Sequence, residues 1–259
     1  MNLETYLRAR REEGAKLLVP YVTGGLGADW LDTVRAVADA GADAVEIGIP
    51  FSDPVIDGTT IQEASQRALD AGATPAKVVS EAAQLDVDVP LAVMTYYNPV
   101  HHAGHERFAA SLADAGIDAA IVPDLPLDEL DGWGDAADAA GVETVLLAAP
   151  TTPDARLVAI CERSRGFVYG ISLLGVTGAR DQLAHMAAGM GRRLKAVTDR
   201  PVLLGLGISN GQQAVEAAAA ADGVVVGSAV VARMLDGGGP DVLHDLLKGF
   251  RVALDSGNA

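Results

Sequence analysis

Ala44-Val-Glu-Ile-Gly-Ile-Pro-Phe-Ser-Asp-Pro-Val-Ile-Asp-Gly58 opens as an apolar run, breaks at proline, and ends in a loop bearing carboxylates. A helical stretch, Ile61–Ala71, follows it. Seven further apolar runs share this pattern: Leu17–Val22, Leu91–Tyr96, Ala119–Val122, Thr144–Leu147, Phe167–Ile171, Val202–Leu206 and Val224–Val226. Most are continuous rather than alternating, as expected of parallel strands covered on both faces. Stretches long enough for helices lie between them, including Trp30–Ala40, Glu106–Ala115 and Gln212–Ala221. Eight strand-then-helix units predict an α/β fold, a closed (β/α)8 TIM barrel. Asp39-Ala-Gly41, Asp70-Ala-Gly72 and Asp114-Ala-Gly116 each end a helical stretch, as does Ala140-Gly141. Glycine there supplies the left-handed residue just past a helix end. Residues 1–12 read as an extra amphipathic helix, with Leu3, Tyr6 and Leu7 on one side. No linker or shift in composition divides the chain, so residues 1–259 are expected to form one domain.

Composition narrows the function. The 259 residues carry 19 Lys plus Arg against 35 Asp plus Glu, a net charge of −16. That disfavours nucleic acid and anionic membrane surfaces, both of which call for clustered cations. The N-terminus lacks the apolar core of a signal peptide. The run Gly223–Ala232 is well short of the ~20 residues that span a bilayer, so a cytoplasmic location is expected. The single cysteine, Cys161, reads as a buried helix residue. Only four of the 19 basic residues are lysine, and 24 of the 35 acids are aspartate. The acidic run Asp128, Glu129, Asp131, Asp135 and Asp138 reads either as an ordinary solvated helix face or as part of a surface suited to high salt.

Barrel active sites lie at the C-terminal ends of the strands. On the strand that starts at Ala44, Val45 and Ile47 share one face; Glu46 points the other way, into the barrel. A carboxylate there loses hydration, and no basic residue lies in the segment. A raised pKa suited to proton transfer is the expected result. The alternative is an ion pair with a distant arginine. Pro50, Pro54 and Gly58 hold the following loop, which carries Ser52 and Asp53 and can present Asp57 over the barrel mouth. Gly205, Gly207, Gly227 and Ser228 fall where barrels bind phosphate, after strands seven and eight. Gly-Leu-Gly-Ile-Ser alone could suggest a dinucleotide fold, but too little chain follows it. His101, His102 and His105 have a spacing that could hold a metal, although no metal site is expected.

Pro50-Phe-Ser-Asp-Pro-Val-Ile-Asp-Gly58 resembles the signature of the tryptophan synthase alpha subunit family. The likeness continues through Pro20-Tyr-Val-Thr23, Tyr96-Tyr-Asn98, Pro123-Asp-Leu-Pro126, Gly175-Val-Thr-Gly178, Gly205-Leu-Gly-Ile-Ser209 and Gly227-Ser228. It implies a retro-aldol lyase that cleaves indole-3-glycerol phosphate to indole and glyceraldehyde 3-phosphate. By this resemblance Glu46 transfers protons, Asp57 partners the indole nitrogen, and Tyr169 packs beside them. Tyr21, Met94, Ile121, Leu147, Leu206 and Val225 would complete the indole pocket. Gly178, Gly207, Gly227 and Ser228 would bind phosphate, and Asp53 and Thr177 would serve loop closure. The histidine segment would face a partner. That partner is a beta subunit in an alpha2-beta2 assembly, and pyridoxal phosphate is expected there and not in this chain. Two other readings remain: another phosphosugar-binding barrel, or a subunit that activates its partner without catalysis.

Overall fold

A computed structural model describes residues 2–171, 180–205 and 207–257. Eight parallel strands close in sequence order: β1 (Leu17–Thr23), β2 (Val45–Gly48), β3 (Leu91–Met94), β4 (Ala119–Ile121), β5 (Glu143–Ala148), β6 (Val168–Ile171), β7 (Val202–Gly205) and β8 (Gly223–Val226). The helices before and after the first two strands are α1 (Leu3–Glu12), α2 (Trp30–Asp39), α3 (Thr59–Asp70) and α4 (Pro75–Ala82). Then come α5 (Tyr97–Ala103), α6 (His105–Asp114), α7 (Asp131–Ala140), α8 (Asp154–Arg163), α9 (Arg180–Lys195), α10 (Gly211–Ala218), α11 (Ser228–Leu235) and α12 (Pro240–Gly257). The strands match the expected runs to within a residue or two. Gly41, Gly72, Gly116 and Gly141 all take positive φ just past a helix, as the sequence echo predicts.

Side chains sort by the two-residue period of the strands. Val45 and Ile47 join the layer between strands and helices, whereas Ala44, Val19, Ala92, Ala119, Val145, Leu203 and Val225 fill the barrel interior. The N-terminal helix α1 closes the lower end, and its Leu3 and Leu7 are fully buried in that interior cluster. Asn2 caps it, its side chain accepting the Thr5 N–H.

A repeated device ties neighbouring strands together at this lower end. Asp43, just before β2, accepts the Leu18 N–H of β1 at 2.8 Å. Asp118, before β4, does the same for Leu91 of β3 at 3.0 Å, and Asp222, before β8, for Val202 of β7 at 2.8 Å. Ser164 takes this place before β6, accepting the Leu146 N–H of β5 at 3.0 Å. Each even strand thus satisfies an amide that the twisted ladder leaves open. Asp43 is 1% exposed and also pairs with Arg10 of α1 at 2.9 Å and Arg251 of α12 at 3.2 Å. Asp222 pairs with Lys195 at 2.9 Å. The bottom of the barrel is therefore charged and paired, and the opposite end is left for chemistry.

Candidate active site

Glu46 stands in the middle of β2, 1% exposed, with Tyr21 of β1 and Ala92 of β3 as its register neighbours. All three point into the barrel. Among the described residues no cation reaches Glu46, and its Oε2 has no hydrogen-bond partner. The ion-pair alternative is thereby set aside. Burial raises its pKa to about 8, with the nearby Asp57 anion adding to the effect. An orphaned buried carboxyl costs folding free energy, which is tolerable where it serves chemistry.

Asp57 comes from the loop between β2 and α3. Two short hydrogen bonds shape this loop: Val55 N–H to the Asp53 carbonyl at 2.9 Å and Asp57 N–H to the Pro54 carbonyl at 3.1 Å. Burial raises the Asp57 pKa to about 6, and a hydrogen bond from the Tyr96 hydroxyl pulls against that rise. The two carboxyls therefore titrate about two units apart, the arrangement that keeps one acidic and the other ionised near neutral pH. Asp53 is exposed and accepts the Ser52 hydroxyl at 2.6 Å, so it stands outside this pair.

Aromatic side chains wall the site through close fits against glycine. The Tyr21 ring lies over Gly48, where a β-carbon would come within 1.7 Å of the phenol oxygen. Tyr169 lies over Gly205 in the same way, at 2.5 Å from the ring. Burial raises both phenol pKa values well above normal, and the electrostatic influence of Glu46 and Asp57 reaches both. The two phenols are therefore neutral donors. Met94, Leu147 and Tyr169, each partly buried, pack against the interior cluster that holds Ile121 and Val225. Met94 also packs against Tyr21, joining the two sides of the pocket. Ile121 is fully buried and Val225 nearly so, so both belong to the barrel core.

Gly227 and Ser228 sit at the start of α11, directly after β8, with Ser228 exposed at the mouth. First-turn amides of a helix have no intrahelical acceptor, and the helix dipole adds positive potential there. The root of the Tyr21 side chain lies 3.7 Å from where a Gly227 β-carbon would be, so the start of α11 adjoins the aromatic wall. Gly207 holds a φ of +70° after β7, which favours glycine. Thr177, Gly178 and Leu206 lie outside the described residues.

The sequence reading missed Tyr96 as a site residue, and it missed Gly48 and Gly205 as seats for aromatic rings. The only signal for the glycines was their position at strand ends. The histidines sit on helices α5 and α6. His105 Nε2 lies 3.0 Å from the Tyr97 hydroxyl, and its ring contacts Trp133 edge-on. Cys161 is buried on α8, and burial pushes its thiol up to about 11, which leaves it unreactive at neutral pH.

The family model for the tryptophan synthase alpha chain matches residues 7–241. The chain belongs to the tryptophan synthase alpha chain family. The alpha chain from Streptomyces coelicolor is 45% identical over 96% of both chains. That from Methanosarcina mazei is 49% identical over 77% of this chain and 73% of its own length. Among solved structures, tryptophan synthase from M. tuberculosis superposes with a TM-score of 0.90 at 36% identity, covering 97% of each chain. The alpha subunit from Legionella pneumophila gives 0.87 at 29% identity, covering 99% of each. The alpha-chain family is thus met over the whole barrel, including the Glu46 strand and the Asp57 loop.

Proposed function

We propose that Glu46 and Asp57 carry out the alpha-family reaction in this chain, the retro-aldol cleavage of indole-3-glycerol phosphate to indole and glyceraldehyde 3-phosphate in tryptophan biosynthesis. The observation that carries this reading is the buried Glu46, its Oε2 without a hydrogen-bond partner and near enough to Asp57 to feel its charge, with pKa values of about 8 and 6. Near pH 7 Glu46 is mostly protonated and Asp57 mostly ionised. Glu46 gives its proton to C3 of the indole ring. The positive charge that develops on the ring is met by Asp57 at the ring N–H, in a site where little water screens it. The Glu46 carboxylate then takes the proton of the glycerol hydroxyl as the carbon–carbon bond breaks. One proton is given and one returned, and indole and the aldehyde leave.

Tyr21, Met94, Ile121, Leu147, Tyr169, Leu206 and Val225 would hold the indole, and Gly178, Gly207, Gly227 and Ser228 the phosphate. Asp53 and Thr177 would serve closure of the loops over substrate. Pyridoxal phosphate belongs to the partner beta subunit, which consumes the indole; the reaction above needs only the proton transfers described. A groove of about 930 Å³ between α4 and α5–α6, lined by Pro75, Val79, Pro99, His102 and Phe108, supports a protein-facing surface on the histidine side. No helix among the described residues is long and apolar enough to cross a membrane. A cytoplasmic enzyme with one barrel over residues 1–259 fits this, and its acidic surface suits high salt.

Release of indole by the purified chain, alone and with a beta subunit, tests the reading. Indole from the chain alone supports it. Activity that appears only in the partner would favour an activating subunit instead.

A further inference from the structure

The Asp57 loop is gripped from one point. Tyr96 follows β3, 3% exposed, at the residue before α5. Its ring stacks on Phe51 at the start of the loop, with centroids 5.1 Å apart and planes inclined by 26°. At the loop's far end the Ile56 N–H donates to its phenol oxygen at 3.0 Å. A phenol has one proton. With its oxygen accepting from Ile56 at the loop's end, that proton is left to reach the neighbouring Asp57 carboxyl, whose charge the phenol favours. One buried side chain therefore touches the beginning of the loop and its end, beside the residue whose carboxylate the loop presents.

We propose that Tyr96 is a positioning residue of the lyase site: its phenol fixes the Asp57 loop against the end of β3 and donates to the Asp57 carboxylate, holding it ionised and aimed at the barrel mouth. This rests on the catalytic role given to Asp57 above.

The electrostatics of the surroundings support the need for such a donor. The groups that face Asp57 are Glu46 on β2, Tyr21 on β1, Tyr169 on β6 and Tyr96 itself. Among the described residues none is a cation. Burial opposes the Asp57 charge, and the Tyr96 hydrogen bond is the interaction that favours it. A hydrogen bond donated to the charged form lowers a carboxyl pKa, so its removal raises that pKa. An Asp57 that protonates earlier as pH falls can no longer meet the charge on the indole ring.

Tyr96→Phe in the full-length chain is the direct test, because it keeps the ring and its stack on Phe51 and removes only the hydroxyl. The midpoint of Asp57 is read by carbon-13 NMR titration, and the acid limb of kcat/KM is read in parallel. The expected result is a rise of about one pH unit in both, a tenfold change in the dissociation constant. The substrate phosphate also titrates near 6, but it does so alike in every variant. A merely structural role would lower activity equally at all pH and leave the midpoint in place. Phe51→Leu breaks the stack and keeps the phenol, so it should leave the Asp57 midpoint unchanged. Should Tyr96→Phe fold poorly, 3-fluorotyrosine at position 96 keeps the shape and is the stronger donor, and it should lower the midpoint. An Asp57 midpoint that fails to move with either change at position 96 overturns the proposal. Absence of lyase activity in the wild-type chain would instead overturn the reading of function, with the NMR titration still deciding the Tyr96 contact.

Discussion

Glu46 carries a conflict between folding and chemistry that can be measured from both sides. Glu46→Gln keeps shape and polarity and removes the titrating proton. Turnover should fall by about 10²–10⁴-fold, with ligand binding largely retained, as for a group needed mainly in the transition state. Near-normal cleavage by the variant would remove Glu46 from the proton transfer. The same substitution should raise thermal stability at alkaline pH. A buried acid whose folded pKa is raised contributes stability that is full below its unfolded value and is lost as pH rises through the folded value, here about 8. Wild type therefore loses this contribution between about pH 5 and 8, and Glu46→Gln has none to lose. Thermal melts of both proteins at pH 6 and pH 9 should show the gap opening at pH 9 in favour of the variant. A constant gap would mean that Glu46 is hydrated or paired in solution. Glu46 was legible in the sequence because strand alternation alone places it inside a barrel with no nearby cation. Tyr96 was not, because its role depends on a hydroxyl reaching a backbone amide 40 positions earlier in the chain.

Among the elements, the acids that precede the even strands should differ in weight according to what else they hold. Asp118→Ala leaves one Leu91 amide without its acceptor, which should cost about 1–3 kcal/mol. Asp43→Ala also takes the buried partner from Arg10 and Arg251, leaving each only an exposed acid, Glu13 or Asp255, so it unpins α1 and α12 from β2 and should cost about 3–5 kcal/mol. Denaturant titration of both variants checks the order; equal losses would mean that the arginines find solvent readily. The strand and helix positions were readable because apolar runs and positive-φ glycines recur with the period of the fold. The role of Asp43 was not, since its partners lie 33 and 208 residues away along the chain. At the start of α11, Ser228→Asp would set a negative charge where the substrate phosphate is expected. Binding of glycerol phosphate should weaken about tenfold or more, with indole binding unchanged. Calorimetry with the two ligands separately checks this, and unchanged phosphate binding would move the anion site elsewhere.

For the whole molecule, a charge of −16 sets the response to salt. Asp128, Glu129, Asp131, Asp135 and Asp138 are all exposed on or just before α7; Asp128 pairs with Arg156 and Asp138 with Arg163, and the remaining acids repel across solvent rather than through the core. The screening length is about 30 Å at 0.01 M salt and about 3 Å at 1 M. The thermal midpoint and the activity should therefore rise from dilute buffer to molar KCl. Sucrose serves as the control for general exclusion from the surface. A midpoint that stays flat or falls between 0.1 and 2 M KCl would contradict a surface suited to high salt. It would leave the lyase site untouched, because Glu46 lies deep in the barrel.

The pH dependence of kcat/KM for indole-3-glycerol phosphate, in wild type and in Asp57→Asn, tests the division of labour between the two carboxyls most directly. Wild type should give a bell, rising through about pH 6 as Asp57 ionises and falling through about pH 8 as Glu46 loses its proton. In Asp57→Asn the Asp57 contribution to the acid limb should vanish, leaving only the titration of the substrate phosphate. The alkaline limb should move to lower pH, because the anion that raises the Glu46 pKa is gone. An alkaline limb that stays at the same pH in Asp57→Asn, or a wild-type profile flat from pH 6 to 9, would contradict that division of labour.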